Sequence, residues 1–424
     1  MRPVVFFDGN PLPCAVNSAE PWLHRALLPC SIRSIRSLIQ TFPKVCPSRG
    51  DIQVEASVGH TPPMRIAILS AGNAGQAFAG GMTLSGHQVH LAAVPEHSEQ
   101  IKIIQTFGGV LVEGSTAAGK SGGFAEIARV DTDVKSAVSE AEVAFLVSPA
   151  FGQEAYFEYI VANSPDDQVI VIQPGKFGAL RLAQMMREAG RNPHSLLITE
   201  TDTFLYAAKI HGLDRIWLRG IKSQLPLAAL PHTRTDEALA ILHQIHPQYV
   251  AAPSVLTTSM SDAAYSIHPV TTLLDLSRIE SMGPYRTKAY SITPGVARMA
   301  EAVDAERVQV AQAMGVETDD VYTQLKSMYG FPGDNLYEAL SNTTVHVDQL
   351  TPRSAQHRYV TEEIPYGLVP ISEIASMLAI PTPNIDAIIA LASTVNGEDY
   401  RATGRHLSTL GLGRMTPEEL LASV

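Results

Sequence analysis

Ile66-Ala67-Ile68-Leu69-Ser70-Ala71-Gly72-Asn73-Ala74-Gly75-Gln76 is the stretch that decides the fold. A short apolar run to Ser70 meets a glycine turn, and a helical pattern from Gln76 to Leu84 follows directly. A strand, a tight turn and a helix N-terminus in that order bring backbone N–H groups to one point. The helix dipole favours negative charge there, and the missing side chains let a pyrophosphate approach. Ser70 to Gly75 matches Gly-x-Gly-x-x-Gly with serine at the first glycine position. Ser70, Gly72, Asn73, Ala74 and Gly75 are therefore the candidate cofactor-binding residues. Such a loop is a weak signal by itself, and a bare structural turn is the competing reading.

Further buried-strand patterns occur at Gln88–Ala93, Val143–Val147, Val169–Ile172 and Leu196–Thr199, with helical patterns at Asp133–Glu142, Gln153–Val161 and Ala179–Ala189. Strands alternating with helices at this spacing predict a mostly parallel sheet covered on both faces. Gly108–Gly114 reads as a hairpin inserted in that alternation. From about Ala251 helical periodicity takes over, at Met299–Met314, Val321–Met328, Ile371–Leu378 and Ile385–Val395. The expected architecture is an α/β Rossmann-type N-terminal domain over 64–245 and a mainly α-helical C-terminal domain over 246–424. The linker is expected near Pro231–Pro253, around a helix at Thr235–His246.

A chain of 424 residues is too long for one compact core, so two domains agree with its size. A net charge of -11 argues against nonspecific binding to nucleic acid. No uninterrupted apolar run of about 18 residues predicts a membrane span. Cys14, Cys30 and Cys46 all precede residue 64 and match no metal-ligand spacing, so no metal site is expected. Elsewhere there is no cysteine to act as a nucleophile, and a reducing, cytoplasmic compartment fits. The segment 1–63 is basic and poor in acids as far as Gly50. A transit peptide is one reading; a true start at Met64 is the other, and the segment is expected to be poorly ordered.

NAD binders carry an acid about 20 residues beyond the loop, at the end of the second strand. Here that position reads Leu91-Ala92-Ala93-Val94-Pro95-Glu96-His97, with no acid at the strand end and no arginine for a 2′-phosphate. Glu96 could reach a ribose from the loop, and His90 or His97 a phosphate; the choice between NAD and NADP stays open. Ile267-His268-Pro269 is expected to open a helix with His268 as its cap, because proline suits a first helical position. Arg358-Tyr359-Val360-Thr361-Glu362-Glu363-Ile364-Pro365-Tyr366-Gly367 sets an arginine and two acids among apolar and aromatic residues. By itself this stretch reads as a solvated ion-pair cluster, and pattern reasoning does not separate Glu362 from Glu363.

The segments Ala71–Ala77, Gly108–Gly114, Ile267–Pro269, Thr293–Arg298 and Arg358–Pro370, in that order, resemble the octopine/nopaline (opine) dehydrogenase family from about Met64 onward. The resemblance implies a Rossmann domain joined to a helical domain of the 6-phosphogluconate dehydrogenase C-terminal type, with the active site between them. It implies an NADH- or NADPH-dependent condensation of an amino acid with a 2-oxo acid through an imine. The family's catalytic histidine falls on His268, its site arginine on Arg358 and its acid on Glu363, where the family usually has the shorter aspartate. Ser70 and the missing strand-end acid are further departures. Tyr366 and a Thr199-Glu200-Thr201 loop are guesses for the amino-acid pocket, and a homodimer is a possible assembly. Two rivals remain: a simple 2-oxo/3-hydroxy acid reductase of the ketopantoate reductase type, which usually relies on a lysine where none lies near the His268 or Arg358 segments, and a non-catalytic dinucleotide-binding protein.

Overall fold

The computed structural model describes residues 62–422 apart from 118, 120, 287–291, 344–349 and 414. The basic extension and its cysteines lie outside the described residues. The strands are β1 (Arg65–Leu69), β2 (Gln88–Ala92), β3 (Val110–Ser115), β4 (Ser121–Ala125), β5 (Arg129–Asp131), β6 (Val143–Leu146), β7 (Val169–Ile172), β8 (Leu197–Thr201), β9 (Tyr206–Ile210), β10 (Arg215–Ile221), β11 (Leu225–Leu230) and β12 (Tyr249–Ala251). The helices that matter for the site are α1 (Asn73–Leu84), α2 (Ser98–Phe107), α3 (Val134–Glu140), α4 (Gln153–Asn163), α5 (Gly178–Glu188), α6 (Thr235–Leu242), α7 (Val255–Met260) and α8 (Ala264–Leu274).

The main sheet runs β12-β11-β8-β7-β6-β1-β2-β5. From β8 to β5 every pairing is parallel, whereas β11 joins antiparallel to β8 and carries β12 in parallel. Helices on both faces bury every residue of β6, β7 and β8. β6 and β7 therefore read as continuous apolar runs, without the alternation of a half-exposed sheet, whereas β8 buries Thr199, Glu200 and Thr201 as well. Strand order reverses between β1 and β6, and the crevice at the carboxyl ends of these strands is where open α/β sheets take ligands.

A smaller sheet, β4-β3-β10-β9, covers α1. Gly108–Gly114 is not a hairpin by itself: Gly108 closes α2 in the left-handed region at φ 74°, residues 110–114 lie in the single strand β3, and the antiparallel partner is β4 further along the chain. The sequence reading missed β4, β5 and β9 to β12: β5 and β12 span three residues each, β10 alternates exposed with buried residues, and β11 carries Pro226. The main sheet also reaches Ala251, past the boundary drawn at 245, because β12 pairs with β11 there.

Two hydrophobic cores flank the sheet. One lies beneath α1, α2, α6 and the small sheet, around Phe78, Phe145 and Tyr249. The other starts under α3, α4 and α5 and continues without a break into the helical half, through Val255, Tyr265, Val310 and Ile389. The helical half is thus anchored to one face of the sheet by shared apolar packing.

Candidate active site

The glycine loop sits at the switch point. Ser70 leaves β1 at φ 102°, and its N–H donates to Ala92 O (2.9 Å). A Cβ added at Gly75 would lie 1.7 Å from Ser70 O, so only glycine lets the helix start pass under the turn. At Gly72 the nearest atom to such a Cβ is Ser70 Oγ at 3.8 Å, which leaves the outer side of the loop open to a ligand. The first turn of α1 contains no acid and its start has no side-chain cap. These features fit a pyrophosphate. The Asn73 side chain, by contrast, turns away to accept from Ile210 N (2.7 Å) and holds β9 against α1.

Beyond β2 the structure adds what the sequence order concealed. His90 bonds Asp131 Oδ1 (2.9 Å), and Arg129 Nε donates to Asp131 Oδ2 (2.7 Å) from the neighbouring strand β5. An arginine is therefore close to the end of β2 after all, already engaged by Asp131, Asp133 and Ser136. Glu96 and His97 lie exposed in the short turn Pro95–His97.

The second half of the site is a knot of charges between sheet and helices. His268 Nδ1 bonds Glu363 Oε1 at 3.0 Å, and Tyr359 stacks on the imidazole at 3.8 Å and 11°. Lys176 Nζ donates to Glu363 Oε2 (2.5 Å) and to Asp262 Oδ2 (2.6 Å). Arg358 Nη2 pairs with Glu362 Oε2 (2.7 Å), while Glu362 Oε1 accepts from Ala150 N (2.9 Å) in the loop after β6. The adjacent acids, indistinguishable by pattern, thus have separate partners. Burial pushes the Glu363 carboxyl up, but the Lys176 ammonium, and then His268, hold it below the ordinary carboxylate range. For Glu362 burial wins over Arg358 and Lys176, and its carboxyl is raised.

Local sequence explains this geometry. The helix Arg358–Thr361 is capped by His357 Nδ1, which accepts from Tyr359 N (3.3 Å). Pro365 has no N–H to continue the ladder, and the chain widens into a π turn, Ile364–Leu368, with Leu368 N donating to Glu363 O (3.0 Å). Gly367 lets this turn press on α8, since a Cβ there would lie 2.0 Å from Tyr265 Cε1. Glu363 stands at the start of this turn, and its carboxylate reaches His268 Nδ1 at 3.0 Å.

Two expectations need correction. His268 is not a cap: α8 starts at Ala264, whose N–H donates to Asp262 Oδ1 (2.9 Å), and Pro269 lies inside the helix. Thr199, Glu200 and Thr201 form no loop but belong to buried β8, where Glu200 accepts from Ala179 N and the hydroxyls of Thr258 and Ser259. Tyr366 lies under the Arg405 guanidinium at 5.1 Å. Lys176 and Asp262 were missed altogether. A usable signal existed, since Gln173-Pro174-Gly175-Lys176 puts a cation in the turn at the carboxyl edge of a parallel sheet.

Known proteins share this plan. Residues 251–396 match the model of the NAD/NADP octopine/nopaline dehydrogenase alpha-helical domain, and residues 65–176 that of a coenzyme F420-dependent NADP oxidoreductase. An opine dehydrogenase from Arthrobacter sp. (strain 1C) is 33% identical over 84% of this chain and 98% of its own length. The chain belongs to the opine dehydrogenase family. Solved structures of the family agree in fold. Octopine dehydrogenase with NADH and L-arginine superposes with a TM-score of 0.68 at 21% identity, covering 85% of this chain and 98% of its own. NADP+-bound yersinopine dehydrogenase gives 0.64 at 15%, covering 86% and 98%. The fold class expected from sequence, a Rossmann-type domain followed by helices, is the one observed. Among the described residues no helix is long and apolar enough to cross a membrane.

Proposed function

We propose that this opine dehydrogenase joins the amino group of an amino acid to the carbonyl carbon of a 2-oxo acid, with NADH or NADPH as reductant. The observation that carries the reading is the His268–Glu363 pair at 3.0 Å, beside Arg358 and tied by Glu362 to the loop after β6. Condensation forms an imine and releases the oxo oxygen as water; reduction then yields a secondary amine. The backbone of Ser70 to Gly75 would hold the dinucleotide at its pyrophosphate, and the dinucleotide would supply the hydride when bound. With Glu363 ionised, Nδ1–H of His268 donates to it and Nε2 is left to exchange a proton with the substrate oxygen. Tyr359 fixes the plane of the ring. Arg358, whose side chain is partly exposed, would hold a substrate carboxylate.

The cofactor half of this scheme ends with the main sheet and the substrate half follows it. The lack of cysteine after Cys46 suits a reducing compartment, and we place the enzyme in the cytoplasm. A homodimer is the assembly to check by sedimentation. A reductase of the ketopantoate type usually relies on a lysine that reaches its substrate, whereas Lys176 is 2% exposed and bonded to two carboxylates. The test is oxidation of NADH and NADPH with a matrix of L-amino acids against pyruvate, glyoxylate and 2-oxoglutarate. Oxidation that requires both partners supports condensation and fixes cofactor and substrates. Oxidation with an oxo acid alone overturns it in favour of the simple reductase.

A further inference from the structure

Lys176 is a buried cation that the scheme above leaves without a task. It lies in the turn between β7 and α5, and its backbone is held in the left-handed region at φ 51°, followed by Phe177 at φ 65°. For residues other than glycine such positions are strained and persist only where surroundings over-determine them. Here the surroundings do so. Arg405 donates to Lys176 O, and Phe177 N donates to Ser259 Oγ (2.8 Å). The strained turn delivers Nζ to Glu363 and Asp262, 4.2 Å above the centre of the Tyr265 ring. No structural gain requires a charge at this point, because a buried ion pair is on average no more stable than apolar packing of the same volume.

We propose that Lys176 is a positioning residue for the proton-handling pair: its ammonium clamps one oxygen of Glu363 so that the other faces His268 Nδ1, and Asp262 holds the ammonium in place. This rests on the reading of His268 and Glu363 given above. It also accounts for glutamate at 363, whose two oxygens span the gap between an imidazole on α8 and an ammonium from the sheet. Burial pulls the lysine down, but Asp262 and Glu363 leave it well above its ordinary value, so it stays charged. The charged and titratable groups facing Glu363 are Lys176 from the sheet, Asp262, Tyr265 and His268 from the start of α8, and Glu362 and Arg358 from its own segment. Behind them Asp202 and Glu200 act on Asp262 and Tyr265.

The experiment compares wild type with Lys176→Met, Lys176→Arg, the double variant Lys176→Met/Asp262→Asn, and His268→Gln. The double variant removes one charge of each sign and so preserves the balance of the cluster if the single variant fails to fold. Two quantities are read: the pH profile of kcat, and the carbon-13 titration of the Glu363 carboxyl in the resting protein. Removing the clamp should lower kcat about tenfold or more and raise the acid limb and the Glu363 titration by about one pH unit or more. Lys176→Arg, which keeps the charge, should keep the limb. A folded double variant with a wild-type limb and an unmoved Glu363 titration overturns the proposal even if His268→Gln is inactive. If instead His268→Gln turns over normally, the proton-handling reading fails, while the Glu363 titration still decides whether the clamp exists.

Discussion

Two histidines of this protein meet burial in opposite ways. His246 is enclosed by Phe78, Phe145, Tyr206 and Tyr249, and neither of its ring nitrogens has a hydrogen-bond partner among the described residues. Burial, with His87 adding to it, pushes it down to about 3, so it is neutral and serves as packing. His268 keeps 30% of its side chain exposed, bonds a buried carboxylate and stacks on a tyrosine. The first imidazole gave up its proton to enter a core; the second was given a counter-charge and left open on one side. What separates a packing histidine from a candidate proton carrier is the company it keeps, which one-dimensional position does not disclose.

The comparison can be broken at its active end first. His268→Ala should lower kcat by about 10²–10⁴-fold with little change in Tm, measured in the two-substrate assay. An equal loss from His246→Leu at neutral pH would erase the distinction. Next, Arg358→Ala removes a charged hydrogen bond of roughly 1.5–3 kcal/mol and should lower kcat/KM about ten- to a hundredfold, mainly through KM for the oxo acid. Unchanged constants would remove Arg358 from the site.

At the packing end the test is acid stability. The folded value of His246 lies below the ordinary 6.5, so between the two the unfolded chain binds the extra proton. Its contribution is complete above pH 6.5 and is lost as pH falls towards 3. Going from pH 7 to pH 5 should cost wild type about 2 kcal/mol through this group. Urea unfolding of a folded His246→Leu variant should show a correspondingly shallower pH slope. The smallest effect belongs to the cofactor loop: Ser70→Gly should relieve its positive φ and raise stability by about 1 kcal/mol, read as a small rise in Tm.

The mostly parallel sheet was readable because its central strands are short, largely apolar runs between helices, and the loop at Ser70–Gly75 because glycine is spaced by sterics; the order of the strands was not. The segment Arg358–Glu363 was readable as a motif. Its division of labour was not, since which acid meets His268 depends on a π turn forced by Pro365. Lys176 was invisible for a simpler reason: it lies 187 residues before Glu363, and only folding brings the two together. The arginine near β2 was concealed likewise, since it arrives from β5.

The bonds that cross from sheet to helices have a consequence for anyone who would cut this chain in two. A piece ending near Ala251 would keep Lys176 and the Ala150 amide, while Asp262, Glu362 and Glu363 would leave with the other piece. Each fragment would expose apolar surface and also orphan the charges it was built to bury. Expressed apart, the fragments should be insoluble; expressed together, they should recover one another, and the recovered activity would report reassembly of that seam.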